Sequence, residues 1–241
     1  MPNWCFNTLT IQGPKEQVDF IKDKLNQPFD VPHSSWNTET QEMEDSIVHY
    51  SSPVFSFMNI HSPFDNGISV EDYSKQPVRS ELSPNDKGWW ADTQAKAKVD
   101  KSWYAFNNRE WGTKWDVAVS DDEQYPNTEL IEHMSNDEDQ WLVYKFETAW
   151  APPQPAMEKL SALVPNCVLT LDWEEEQGFG GEIEFVNGQI TAESSYDEKC
   201  YECDAIDNMD YCEECEVNVC LSCGYTREEE PCEHQKGKIN V

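Results

Sequence analysis

Residues 8–12, Thr-Leu-Thr-Ile-Gln, alternate polar and apolar side chains and run into Gly13-Pro14, which predicts a short strand closed by a turn. Helical spacing follows. Pro14 sits in the first turn, Val18, Phe20, Ile21 and Leu25 form the stripe to be buried, and Pro28 stops the helix. From about 30 to 110 the periodicity fades into a stretch rich in Ser, Pro, Asn, Trp and Tyr, with one helical piece expected at 89–100. Alternation returns at 115–120 and again at 141–147, both predicted as strands. Pro152, Pro153 and Pro155 then launch a helix carrying Met157, Leu160, Leu163 and Val164. Residues 168–174 and 182–186 are further strands, the second turning at Asn187-Gly188 into 189–191. The order β-α-insertion-β-β-α-β-β predicts an α+β fold: an antiparallel sheet with helices on one face and a large irregular insertion at about 30–110. The main domain is expected over 1–191, with a polar, acidic linker at 192–199 and a separate small module at 200–241.

Cysteine spacing defines that module. Cys200-x2-Cys203, Cys212-x2-Cys215 and Cys220-x2-Cys223 are three CxxC knuckles, and Cys232-x-His234 adds a fourth pair. A CxxC turn aims two thiolates at one point, so two pairs build the tetrahedron zinc prefers, and eight ligands make two closed, structural sites. Four residues separate the second and third knuckles, so placing both on one metal leaves a very tight loop. The alternative is a cross-brace, with Cys200, Cys203, Cys220 and Cys223 on one Zn2+ and Cys212, Cys215, Cys232 and His234 on the other. Metals would there replace the hydrophobic core that so short a segment lacks. The order of the pairs resembles ZZ-type and related cross-brace zinc fingers, which mostly bind peptides; the loop "EVNV" and the Cys-x-His ending depart from that pattern. Cys5 and Cys167 are expected as small buried hydrophobes.

Charge changes the picture of partners. The chain of 241 residues carries 47 acidic and 17 basic residues, a formal charge of −30, yet 12% of it is aromatic and ten residues are Trp. That is a folded core under a negative coat rather than a disordered acidic tail. Binding a nucleic-acid backbone needs a basic footprint, so no direct nucleic-acid contact is expected; even 199–241 holds eleven acids against four bases. A basic protein partner is the expectation. No apolar run is long enough to span a bilayer, and the N-terminus has no secretory pattern, so a soluble, cytoplasmic protein is expected.

Several phrases stand together: "MPNWCFNTLTIQG", "FSFMNIHSPF", "WYAFNNREWGTKWD", "FETAWAPPQPAMEKLSALVP" and "EEEQGFGGEIEFVNG". Their content and order resemble the YubB-like family of conjugative plasmids and phage genomes over residues 1–190. The resemblance implies a ferredoxin-like domain in the C-terminal half and a mobile-element setting, with no established activity to carry over. The zinc tail and the high acidity stand outside the shared pattern.

Among the shared phrases, "WGTKWD" is the best candidate for a ligand or partner site, with Trp111 and Trp115 framing a pocket and Lys114 and Asp116 as its polar groups. His61 with Asp116, or Lys114 with Glu174 and Glu175, are the pairs acid–base chemistry would use. No nucleophile elbow, phosphate-cradling loop or HExxH motif fixes a reaction class. The expectation is therefore a non-enzymatic phage or plasmid accessory protein acting by protein–protein binding, as an acidic inhibitor of a host defence or nucleic-acid-binding protein. The alternatives are an enzyme acting on a small molecule or nucleotide in the Trp-rich insertion, and a zinc-finger peptide-binding adaptor.

Overall fold

The computed structural model describes residues 3–122, 127–135, 139–200, 202–207, 209–213 and 217–226. In chain order these form β1 (Trp4–Pro14), α1 (Lys15–Leu25), β2 (Phe29–Asn37), β3 (Glu42–Tyr50), α2 (Phe57–Ile60), α3 (Val70–Tyr73), α4 (Trp89–Val99) and α5 (Trp103–Glu110). They continue with β4 (Glu129–Ser135), β5 (Asp139–Ala149), α6 (Gln154–Leu163), β6 (Val168–Glu175), β7 (Gly180–Val186), β8 (Gln189–Tyr196), β9 (Met209–Cys212) and β10 (Val217–Cys220).

Six strands make one antiparallel sheet in the order β4-β5-β1-β6-β7-β8. Because β1 is antiparallel to both its neighbours, β5 and β6 run parallel to each other with β1 between them, joined through α6. By the same logic β1 and β4 are parallel across β5. Two interlocked β-α-β units, β1-α1-β4 and β5-α6-β6, are the ferredoxin-like arrangement; β7 and β8 extend it on one edge. The expected α+β class with helices on one face is what the chain adopts.

Period-2 alternation decides which face is covered. Leu9 pairs with Tyr144 on one side and Leu171 on the other, and Leu171 with Ile183, so one inward row crosses four strands. All four side chains are buried, as are Ile11, Leu142, Leu169 and Phe185. Against this face α1 lays Val18, Ile21 and Leu25, and α6 lays Ala156, Met157 and Leu160. Each such burial contributes about 1.5–3 kcal/mol for the larger side chains. Phe20, expected in the α1 stripe, is half exposed, because positions 18, 21 and 25 already complete the helical face and position 20 falls outside it. Cys5 and Cys167 are buried.

The segment between α1 and β4 is more ordered than its composition suggested. It contains the β2–β3 hairpin and four helices. The hairpin turn is held by the Asn37 side chain, whose oxygen accepts from the backbone N–H groups of Glu39 and Thr40. Phe55, Phe57, Phe106, Trp111 and Val117 belong to the same core as Leu9 and Leu171, so the insertion is fused to the sheet domain.

Two strand assignments from the pattern need correction. Residues 115–120 form no strand, because Asp116 turns its carboxylate onto the local backbone instead of leaving those N–H groups for a ladder. The strand that pairs with β5 is β4, an edge strand with a bulge between Leu130 and Glu132 and with Ile131 and Met134 exposed, which blurs its alternation. Residues 192–196, expected in the linker, complete β8.

Candidate functional site

Cys200, Cys203, Cys220 and Cys223 converge, their sulfurs all within 4.8 Å of one another. Thiolates at the corners of a tetrahedron with zinc–sulfur bonds of about 2.3 Å lie about 3.8 Å apart. The Cys200–Cys223 and Cys203–Cys220 sulfur pairs are each 3.7 Å apart, so the donor set fits a four-coordinate metal. The two knuckles share one backbone plan. The N–H of Cys200 donates to the carbonyl of Ala205 and that of Asp204 to the carbonyl of Cys200; Cys220, Tyr225 and Gly224 repeat both bonds. Asp204 and Gly224 take the same left-handed conformation, φ 58° and 79°. Isolated bridges at Lys199–Ile206 and Val219–Thr226 extend the correspondence one residue before and six after each first cysteine.

Electrostatics favours a thiolate at Cys220. Burial pushes its pKa up, but the backbone N–H groups of Cys223 and Ser222 and the Cys200 and Cys203 thiols outweigh burial and bring it down to about 7. The Tyr225 backbone contact pulls the Cys223 pKa down, but burial together with the Cys203, Cys200 and Cys220 sulfurs holds it up at about 12. Of the second expected ligand set, Cys212 is buried on β9, while Cys215, Cys232 and His234 lie outside the described residues.

The four candidate residues in "WGTKWD", Trp111, Lys114, Trp115 and Asp116, fall into distinct roles. Trp111 is 1% exposed, and its indole N–H donates to the carbonyl of His61. The Lys114 ammonium lies 4.2 Å from the Trp115 ring centre and 5.5 Å from that of Trp150, a cation–π clamp. Trp150 holds a left-handed φ of 72°, a strained conformation for so large a residue. Asp116 is a brace: its carboxylate accepts from the Ser56 hydroxyl and from the N–H groups of Phe57, Met58, Val117 and Ala118. Burial raises its pKa, and those donors work in the opposite direction.

Trp111, Trp115 and Asp116 line a cavity of about 530 Å³ where the insertion meets the ends of β1 and β5; Lys114 is outside the lining. Trp4, Tyr50 and Trp103 complete the aromatic walls, contributed by β1, β3 and α5. Residues 103–116 carry Trp103, Trp111, Trp115 and Asp116, which gave the local signal, whereas Trp4 and Tyr50 come from distant strands and gave none. The acid–base pairs expected there are replaced by others. His61 approaches Glu110 at 3.5 Å, and Glu110 also meets Arg109 and Lys159. Burial first, then Lys159, lowers the His61 pKa against the pull of Glu110. Glu174 pairs with Lys199, which also reaches Asp204 in the first knuckle.

The face of the sheet opposite the helices is open and acidic. Asp172 and Glu182 are direct cross-strand partners, with Glu174 and Glu184 two residues along their strands. Desolvation raises the Asp172 pKa against a hydrogen bond with Glu182. A groove on this face is lined by Phe6, Asp172, Glu174 and Glu182 together with Lys199, Asp204 and Ile206 at the start of the cysteine module.

These features define an α+β protein with a ferredoxin-like sheet and a four-cysteine cluster appended to it. Residues 125–216 match the family model for the ferredoxin-like domain in Api92-like protein. Among solved structures, the crystal structure of a protein api92 from Yersinia pseudotuberculosis is similar at 11% identity, covering 83% of this chain and 100% of that one, with a TM-score of 0.40. No curated protein matches the chain. Among the described residues, no helix is long and apolar enough to cross a membrane.

Proposed function

We propose that the protein is a non-enzymatic accessory factor that binds a basic protein surface through the open face of its sheet, in the phage or plasmid setting that the YubB-like resemblance implies. The observation that carries the reading is the clustering of Asp172, Glu174, Glu182 and Glu184 on two adjacent strands of that face. Like charges directly opposite each other destabilise a sheet. A chain of charge −30 that also sets Asp172 directly opposite Glu182 gives up stability that a basic partner would restore. A host defence or nucleic-acid-binding protein, whose working channel is basic, is the matching partner class. The cysteine cluster is read as a closed zinc site that fixes the module beside the groove. A second Zn2+ on Cys212, Cys215, Cys232 and His234 would complete the expected cross-brace, and elemental analysis should then find two metals per chain.

The test begins with affinity capture from host lysate and identification by mass spectrometry, followed by reconstitution with the purified partner. Binding should weaken steeply between about 50 and 200 mM salt as screening shortens to about 8 Å. The triple variant Asp172→Lys, Glu182→Lys, Glu184→Lys should abolish it without lowering the melting temperature. Affinity indifferent to both salt and charge reversal would sink the proposal. Loss of binding on removal of 199–241, with the triple variant still active, would favour the peptide-adaptor reading instead.

A further inference from the structure

The geometry points to a second binding site: the aromatic cavity takes an organic cation, specifically an alkylated ammonium group. Its volume of about 530 Å³ lies in the range of small-molecule sites. Four indoles, Trp4, Trp103, Trp111 and Trp115, line it together with Tyr50, and indole faces present the strongest negative quadrupole among side chains. Its lining holds two carboxylates, Glu147 and Asp116, against one imidazole, His33, and among the described residues of the lining there is neither Lys nor Arg. A phosphate or nucleotide would enter against two carboxylates with only the His33 imidazole to pair it. That balance favours a cation over an anion.

The kind of cation follows from hydrogen bonding. A primary ammonium is strongly hydrated and must exchange water for acceptors. Asp116 has both oxygens engaged, by Ser56 and four backbone N–H groups, and Asn107 accepts from the Tyr73 hydroxyl while donating to the Lys114 carbonyl. An alkylated ammonium needs no such acceptors, loses its water readily and is held by ring faces, with the Glu147 carboxylate as counter-charge. The molecule already contains one instance of the interaction, the Lys114 ammonium over Trp115 and Trp150. The shared chemistry admits two sources, a free quaternary amine of the choline type and the side chain of a methylated lysine.

The experiment uses the full chain, zinc-loaded, titrated with choline, with a trimethyl-lysine peptide, with its unmethylated counterpart and with 3,3-dimethylbutan-1-ol, the uncharged isostere of choline. Calorimetry and tryptophan fluorescence report binding. At least one methylated cation should bind saturably and at least about tenfold more tightly than its uncharged or unmethylated control. Equal affinity for choline and the peptide identifies the head group as the ligand; a preference for the peptide identifies a protein side chain. Trp115→Leu and Glu147→Gln should each weaken binding about fivefold or more with unchanged melting curves, and Lys114→Gln, which removes a like charge beside the cavity, should strengthen it. No saturable binding, or equal binding of choline and its neutral isostere, overturns the assignment. The test uses no protein partner and leaves Asp172, Glu182 and Glu184 untouched, so its failure is separate from any failure of the acidic-face proposal.

Discussion

Replacing Asp116 with alanine removes one acceptor from five donors at once. Three of these are short backbone bonds, from Phe57 at 2.8 Å, Met58 at 3.0 Å and Val117 at 2.7 Å. The fourth backbone bond, from Ala118, is longer at 3.3 Å, and the Ser56 hydroxyl, itself fully buried, completes the set. Hydrogen bonds to a charged acceptor contribute about 1.5–3 kcal/mol each, so the three short ones at the low end sum to about 4–5 kcal/mol. For a chain of this size each kcal/mol moves the melting temperature by about 2–4 °C, which places the Asp116→Ala midpoint about 10–15 °C below the parent. Asp116→Asn keeps one oxygen but turns an amide N–H₂ toward at least one backbone donor, so its midpoint should lie between the two. Near-UV circular dichroism during thermal unfolding reads both. A midpoint for Asp116→Ala within about 2 °C of the parent would show that water or neighbouring groups replace the carboxylate freely, and the brace argument would be wrong.

Further outcomes follow from other parts of the molecule. His61 has a lowered pKa when folded, so the folded state binds fewer protons than the unfolded one; stability is complete above the free value near 6.5 and falls as pH drops through it. His61→Gln should flatten that part of the urea-midpoint profile, and an unchanged slope would remove His61 from the account. Cobalt substituted for zinc should give the thiolate charge-transfer and tetrahedral d–d bands of a four-sulfur site, and Cys203→Ser should weaken the former; bands of an octahedral site would refute the tetrahedral fit. At Gly181 an added Cβ would collide with the backbone oxygen of Ser194 and sit 3.1 Å from Cα of Ser195. Gly181→Ala should therefore cost about 2 kcal/mol or more in urea denaturation, and a neutral result would mean that β8 can move aside.

What could be read from the sequence depended on how locally each feature is encoded. Leu142, Tyr144 and Phe146 alternate cleanly because β5 has one wet and one dry face, so that strand stood out. The edge strand β4 exposes Ile131 and Met134, and its bulge shifts the phase, so the same test failed there. Residues 115–120 alternate as well, but Asp116 gives the backbone a competing partner that periodicity does not register. Coordination chemistry is stricter than packing: CxxC spacing marked Cys200, Cys203, Cys220 and Cys223 directly, and the fold then brings the first and third knuckles together. The cavity is the opposite case. Trp4 and Tyr50 are far in the chain from the 103–116 phrase that holds Trp103 and Trp115, and only tertiary structure makes them walls of one cavity.

The position of β1 governs the order in which this protein can mature. Trp4 pairs with Ala149 and Cys5 with Glu175, so β1 is synthesised well before either of the strands that flank it in the finished sheet. At about 5–20 residues per second, its β5 neighbour arrives roughly 7–30 s later and β6 later still. Throughout that interval Leu9 and Ile11 have no sheet to enter, and α1 has only a fragment of its core. The exposed strand is therefore expected to need holding factors until β5 and β6 have been made, and a pause in translation ahead of β5 would prolong its exposure to aggregation.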